Sequence, residues 1–249
     1  MNRLINHKQQ AVDEENPYWI SFSDLMSGLL VIFILAAVAL IIELTEQQQK
    51  INADIHEQKI ATKTRKEVLY EIRDELLLNN IVVEVADNDT VLRVPEKTLS
   101  FASNSDQIPK DTTTQNAVRL IGVALHNAIN KRTEGMANGK MRYEYLDTIF
   151  IEGHTDSLPT KKKKGNWGLS AYRAISLWDF WNKNIALLPR FNEMVNANGI
   201  KLFSVSGYAA SRRAQVVEAT PIQRSKNRRI DLRFTIKTPS IADLEGIGK

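Results

Sequence analysis

The sequence predicts an α+β protein: a single N-terminal transmembrane helix, a helical linker, and then an α/β sandwich domain. Three observations predict it. Residues 25–42 form an eighteen-residue run without a charged side chain. Residues 43–80 contain no Pro or Gly and are rich in Glu, Lys and Gln. Beyond residue 80 the apolar spacing turns from helical to alternating, and the two periods then interleave. The 249 residues divide accordingly into a tail (1–17), the transmembrane helix (18–42), the linker (43–80), the sandwich domain (81–240) and a C-terminal tail (241–249).

The apolar run reads LMSGLLVIFILAAVALII from Leu25 to Ile42, and only Asp24 interrupts it on the way back to Pro17. About 20 apolar residues cross roughly 30 Å of hydrocarbon at 1.5 Å per residue. Tyr18 and Trp19 stand at its leading edge, where amphipathic rings favour the headgroup layer. A cleaved signal peptide fits poorly, because Asp13, Glu14 and Glu15 precede the run and no small-x-small pattern closes it. Basic residues do not orient the span: Arg3 and Lys8 lie before it, Lys50 and Lys59 after it.

The linker continues as helix, with Val68, Ile72 and Leu76 spaced by four as one stripe, and Asn79-Asn80 closes it. No sustained heptad supports a long coiled coil. Residues 43–60 have few apolar anchors, which leaves a plug-like role for them open. Ile81–Ala86 and Thr90–Val94 flank Asp87-Asn88-Asp89 and read as a hairpin. A helix follows over 112–131 through Val118, Ile121, Leu125 and Ile129. Strands are expected at Asp147–Glu152, Leu202–Gly207 and Arg229–Ile236, with a helix over Ser170–Asn184. This order gives a sheet with helices on one face.

Composition narrows the function. The chain has no cysteine, which excludes disulfide scaffolds, thiolate metal sites and a Cys nucleophile. The net charge is −2 over residues 1–42, −2 over 43–80 and +8 over 81–249, so the basic character belongs to the last zone. No nucleic-acid motif accompanies that charge, and nucleic acid is not an expected partner. The Lys161–Lys164 run reads as a solvated loop that also attracts anionic polymers.

Two sets of motifs carry a family resemblance. The first is LSFASNSDQI (Leu99–Ile108), then IEGHTD with NWGLSAYRA (within Ile151–Ala174), SGYAA (Ser206–Ala210) and NRRIDL (Asn227–Leu232). In this order they resemble the OmpA-like peptidoglycan-binding domain over roughly residues 81–240. The resemblance implies that Asp156 and Arg173 grip the diaminopimelate of a wall peptide, with Thr155, Asn166, Leu169 and Arg228 shaping the pocket. The chemistry suits those roles, since an ammonium and a carboxylate on one carbon require one anion and one fork-shaped cation. A purely internal Asp156–Arg173 pair is the structural alternative. His154 beside Asp156 raises the thought of catalysis or a metal, but His7, His56 and His126 are scattered, and neither an enzyme nor a metal site is expected.

The second is WISFSDLMSGLLVIFIL, Trp19–Leu35, with a Trp five residues before Asp24. It looks like the start of the transmembrane helix of MotB-type stator subunits. Ser21, Ser23 or Asp24 as a helix cap is the alternative. The resemblance implies a homodimer inside a ring of five MotA-like subunits, with Asp24 carrying H⁺ or Na⁺ and no other cofactor. It also implies a single pass through a bacterial inner membrane, N-terminus cytoplasmic and wall-binding domain periplasmic. Flagellar members typically carry Ala-Asp-Phe-Met-Thr, whereas this chain has Ser23-Asp24-Leu25-Met26-Ser27 and a compact linker. These departures look more like ZorB, the MotB-like family of Zorya anti-phage defence. That resemblance implies a ZorA ring as partner, with indirect coupling to the cytoplasmic effectors ZorC and ZorD. A flagellar stator subunit and a passive membrane-to-wall tether are the alternatives.

Overall fold

The computed structural model describes residues 17–133 and 139–237. Of the expected tails (1–17 and 241–249), all but Pro17 lie outside the described residues. The chain forms two units, the first reaching Asp54 and the second starting at Ile55.

Helix α1 (Pro17–Leu78) starts in the first unit and ends in the second; it opens on a proline, whose missing N–H costs nothing at a helix start. Its N-terminal part is long and apolar enough to cross a membrane, and its apolar side chains are exposed in the isolated chain. Asp24 lies two turns inside α1, so it does not cap the helix start. Ser27 Oγ donates to the Ser23 carbonyl at 2.7 Å, as a hydroxyl within a helix does.

The second unit holds a five-stranded sheet in the order β1-β2-β5-β3-β4. Strands β1 (Glu84–Ala86) and β2 (Val91–Pro95) form the expected hairpin. Its turn residues Asp87, Asn88 and Asp89 all have positive φ, a conformation that Asn and Asp tolerate through local hydrogen bonding. Helix α2 (Thr112–Ile129) is capped by Asp111, which accepts from Thr114 N–H at 2.8 Å. A short 3₁₀ turn leads into β3 (Leu146–His154). Helix α3 (Gly165–Asn184), strand β4 (Phe203–Gly207), a five-residue helix α4 (Pro221–Ser225) and β5 (Arg229–Ile236) complete the unit. Strands β3 and β4 run parallel; the other pairs are antiparallel.

Two differences from the sequence expectation have physical causes. Helix α3 begins at Gly165, five residues before the expected start, because Gly165 and Gly168 lower its apparent propensity, while Gly165 supplies a left-handed φ and Gly168 a close packing contact. A Cβ at Gly168 would overlap the Lys163 carbonyl. The second difference concerns residues 43–80. From Ala61 onward α1 becomes buried, and it places Val68, Leu69, Ile72 and Leu76 in the same core as α2, α3 and the sheet. The second unit therefore begins inside the segment that the sequence assigns to the linker.

The end of α1 is built to enter that core. Ile81 N–H reaches the Leu76 carbonyl at 2.9 Å, Asn80 N–H reaches Leu77 at 3.0 Å, and Asn80 takes the left-handed conformation. This is a Schellman closure with Asn in the glycine position, and its hydrophobic pair is the buried Leu76 and Ile81. Arg142, itself buried, bridges Glu71 at 2.7 Å and so fastens the helix to the segment before β3.

Candidate functional site

Helix α3 crosses β3 and β4 at close range, and glycine makes that approach possible. Gly153 and Gly207 are register partners, and a Cβ on either would overlap the backbone of Ser170 or Ala171. The chain leaving β3 is tied to the chain leaving β4: Tyr208 N–H donates to the Gly153 carbonyl and Thr155 N–H to Ala209, both at 2.9 Å. Ser170 Oγ accepts from Ala209 N–H at 3.0 Å. The glycines of GHTD and SGYAA are therefore packing residues that set the loop 155–164 beside the start of α3.

That loop, the α3 N-terminus and the segment after β2 enclose a cleft of about 350 Å³. All six side chains that the sequence assigns to wall binding line it: Thr155, Asp156, Asn166, Leu169, Arg173 and Arg228. Asp156 is buried, with Oδ1 accepting from Leu158 N–H at 3.1 Å and Oδ2 from Arg228 Nη1 at 2.5 Å. Asn166 Nδ2 donates to the carbonyls of Asp156 (3.2 Å) and Leu158 (2.9 Å), fixing the loop's path. Thr155 is buried, and its hydroxyl has no partner within the described residues. An orphaned buried hydroxyl in a cleft is a group that a ligand would satisfy.

Arg173 and Asp156 do not pair. Among the described residues Arg173 forms no ion pair; its Nε and Nη2 donate to the carbonyls of Ser105 (2.9 Å) and Ala102 (3.3 Å). Its guanidinium also lies over the Phe101 ring, 5.0 Å from the centroid. One edge of the fork thus holds the 101–105 loop, and Nη1 is left without a partner among the described residues. Burial lowers the Arg173 pKa from its usual value, yet a guanidinium stays charged. Arg228 is shifted upward, first by its hydrogen bond to Glu96 and then by Asp156.

Sequence reasoning missed Glu96, Phe101 and the carbonyl acceptors at Ala102 and Ser105. LSFASNSDQI marks the segment, but a backbone carbonyl carries no residue signature, and VPEK gives Glu96 no distinguishing context. Asn104 and Thr160 join the two loops through an Oδ1–Oγ1 hydrogen bond of 2.6 Å, and Lys162 bridges Asp106 at 2.6 Å. One member of the lysine run is therefore a structural clasp and not only a solvated charge.

His154 belongs to a second, buried cluster. Its ring stacks on Tyr208 at 5.5 Å. Its Nε2 lies 3.5 Å from Asp231 and 3.8 Å from Glu152. Among the described residues these three bring metal-ligand atoms close together. Guanidinium groups already claim the carboxylates, however: Arg93 and Arg229 bond Asp231 at 3.1 and 3.0 Å, and Arg233 bonds Glu152 at 2.9 Å. The positive charge that would balance the acids is thus supplied by side chains. Burial lowers the His154 pKa and favours the neutral ring.

Comparison with known proteins bears on the fold. No protein-family model and no curated protein matches the sequence. Among solved structures, a MotB-like protein from Desulfovibrio vulgaris is similar at a TM-score of 0.51 and 17% identity, covering 73% of this chain and 96% of that one. The cell wall anchor of the T6SS from Pseudomonas aeruginosa gives 0.46 and 20% over 70% and 99%. The periplasmic domain of Helicobacter pylori MotB gives 0.44 and 19% over 66% and 87%. The first of these shows that the second unit has the fold of MotB-like domains.

Proposed function

We propose that the chain is the wall-anchoring B subunit of an ion-driven inner-membrane motor. The observation that carries this reading is the convergence of six side chains on one cleft. The cleft offers a buried carboxylate, a partly free guanidinium and an orphaned hydroxyl. Asp156 accepts the ammonium of a diaminopimelate centre and Arg173 donates to its carboxylate, while Thr155, Asn166, Leu169 and Arg228 shape the pocket. The apolar part of α1 spans the inner membrane once, with the N-terminus cytoplasmic and the domain in the periplasm.

Two copies sit in a ring of five MotA-like subunits. Asp24 takes up and releases H⁺ or Na⁺, because a neutralised carboxyl tolerates an apolar surroundings that a bare carboxylate does not. Each charge crossing 100 mV releases about 2.3 kcal/mol, which turns one part only if the other is held by the wall. The output we favour is Zorya-type defence, with a ZorA ring and indirect coupling to ZorC and ZorD. The sequence around Asp24 supports it, since Ser23, Leu25 and Ser27 stand where the flagellar pattern has Ala, Phe and Thr. The solved neighbours named MotB suit a flagellar stator equally. Copurification with the adjacent gene product, counting subunits, separates both from a passive tether.

The anchoring step is tested by sacculus pull-down. Asp156→Ala and Arg173→Ala should each abolish wall binding while the domain keeps its circular-dichroism spectrum. Undiminished binding by both variants would retire the reading.

A further inference from the structure

Glu96 stands beside the cleft and was given no role by its sequence. Its carboxylate receives Arg228 Nε at 2.5 Å and Nη2 at 2.6 Å, a two-armed bridge. Arg228 reaches Asp156 Oδ2 with Nη1 alone. The consequence lies at Asp156. A carboxylate offers about four acceptor positions. Here Leu158 N–H and Arg228 Nη1 fill two, so acceptor capacity remains on the cleft side. Arg173 Nη1, without a partner among the described residues, is the complementary open donor. The lining charges are also balanced, Glu96 and Asp156 against Arg173 and Arg228.

Without the Glu96 carboxylate the acceptor capacity shrinks and the charge balance is lost. Fork-on-fork pairing is the favoured geometry of a guanidinium with a carboxylate, so a released Arg228 would close on Asp156 with two arms. One of the two remaining acceptor positions would be occupied, and the cleft would carry an excess positive charge. We propose that Glu96 is a positioning residue that sets specificity: by holding Arg228 it keeps Asp156 half open, so the cleft takes a zwitterionic amino-acid centre in preference to a plain carboxylate. This inference rests on the wall-peptide reading above.

The test uses the full chain in detergent and two soluble muramyl tripeptides. One ends in meso-diaminopimelate; the other carries 2-aminopimelate at that position and so lacks the free ammonium. Calorimetry should give a preference of about tenfold or more for the first, as a charge-assisted hydrogen bond supplies. Glu96→Gln should cut that ratio to about threefold or less by weakening the diaminopimelate peptide alone, and Glu96→Asp should restore most of it. A Glu96→Gln ratio equal to wild type overturns the proposal. So does an equal weakening of both peptides without rescue by Glu96→Asp, which marks a merely structural role. Wild-type protein that binds neither peptide sinks the wall-peptide reading itself and this inference with it. Binding that Asp156→Ala removes and Glu96→Gln leaves intact sinks only the role of Glu96.

Discussion

His154 illustrates how a residue's neighbours decide its chemistry. Beside Asp156 in sequence it suggests a catalytic or metal-binding pair, yet alternation along β3 sends its ring onto Tyr208, beside Glu152 of β3 and Asp231 of β5. A buried neutral imidazole has a pH signature. In the unfolded chain the ring takes a proton as pH falls through about 6.5, whereas the folded environment resists protonation. The unfolded state then binds more protons, so stability is full above that value and declines below it. Thermal melts of the full chain in detergent should show a lower midpoint at pH 5.5 than at pH 7.5. His154→Gln, which cannot titrate, should flatten that difference. An unchanged slope would assign the dependence to other groups.

At the scale of elements, the C-terminal end of α1 matters most. Val68, Leu69 and Ile72 are fully buried, whereas Leu78, two residues before the closure, is 86% exposed. Leu69→Ala should therefore cost about 2–5 kcal/mol in denaturant unfolding, as deletion of a buried Leu side chain does. Leu78→Ala should stay within about 0.5 kcal/mol. Equal effects at the two positions would mean that α1 does not belong to the core. The same logic explains why a domain cut at residue 81 would lose one wall of its core. A four-residue stripe identifies an apolar helix face but not the body that covers it.

For the molecule as a whole, a conducting span and a wall anchor are useful together only when ion flow works against a fixed point. Asp24→Asn keeps the size and polarity of the side chain but removes its charge. We expect this variant to assemble with the ring subunits and to lose phage protection or motility completely. Normal function in Asp24→Asn would leave the tether reading standing. The strand and helix order of the second unit was legible because period-two and period-3.6 patterns are local. Sheet order β1-β2-β5-β3-β4 was not, because pairing between β5 and β3 joins segments about eighty residues apart.

The sequence by itself determined the apolar span, the lone acid near its start and the α+β order, and through the family resemblance it named six of the residues that line the cleft. The first three are carried by residue type and spacing along the chain, the six by the order of the motifs. Only the tertiary structure decided which charges meet: Asp156 with Arg228, Arg228 with Glu96, and Arg173 with two carbonyls of another loop. Ion pairing depends on separations of a few ångströms between atoms far apart in the chain, and any of several arginines would have served Asp156 equally well on paper. The placement of α1's last turns in the core was hidden for the same reason. Burial belongs to the packed whole, and a stripe of Val, Ile and Leu records only that some surface must cover it.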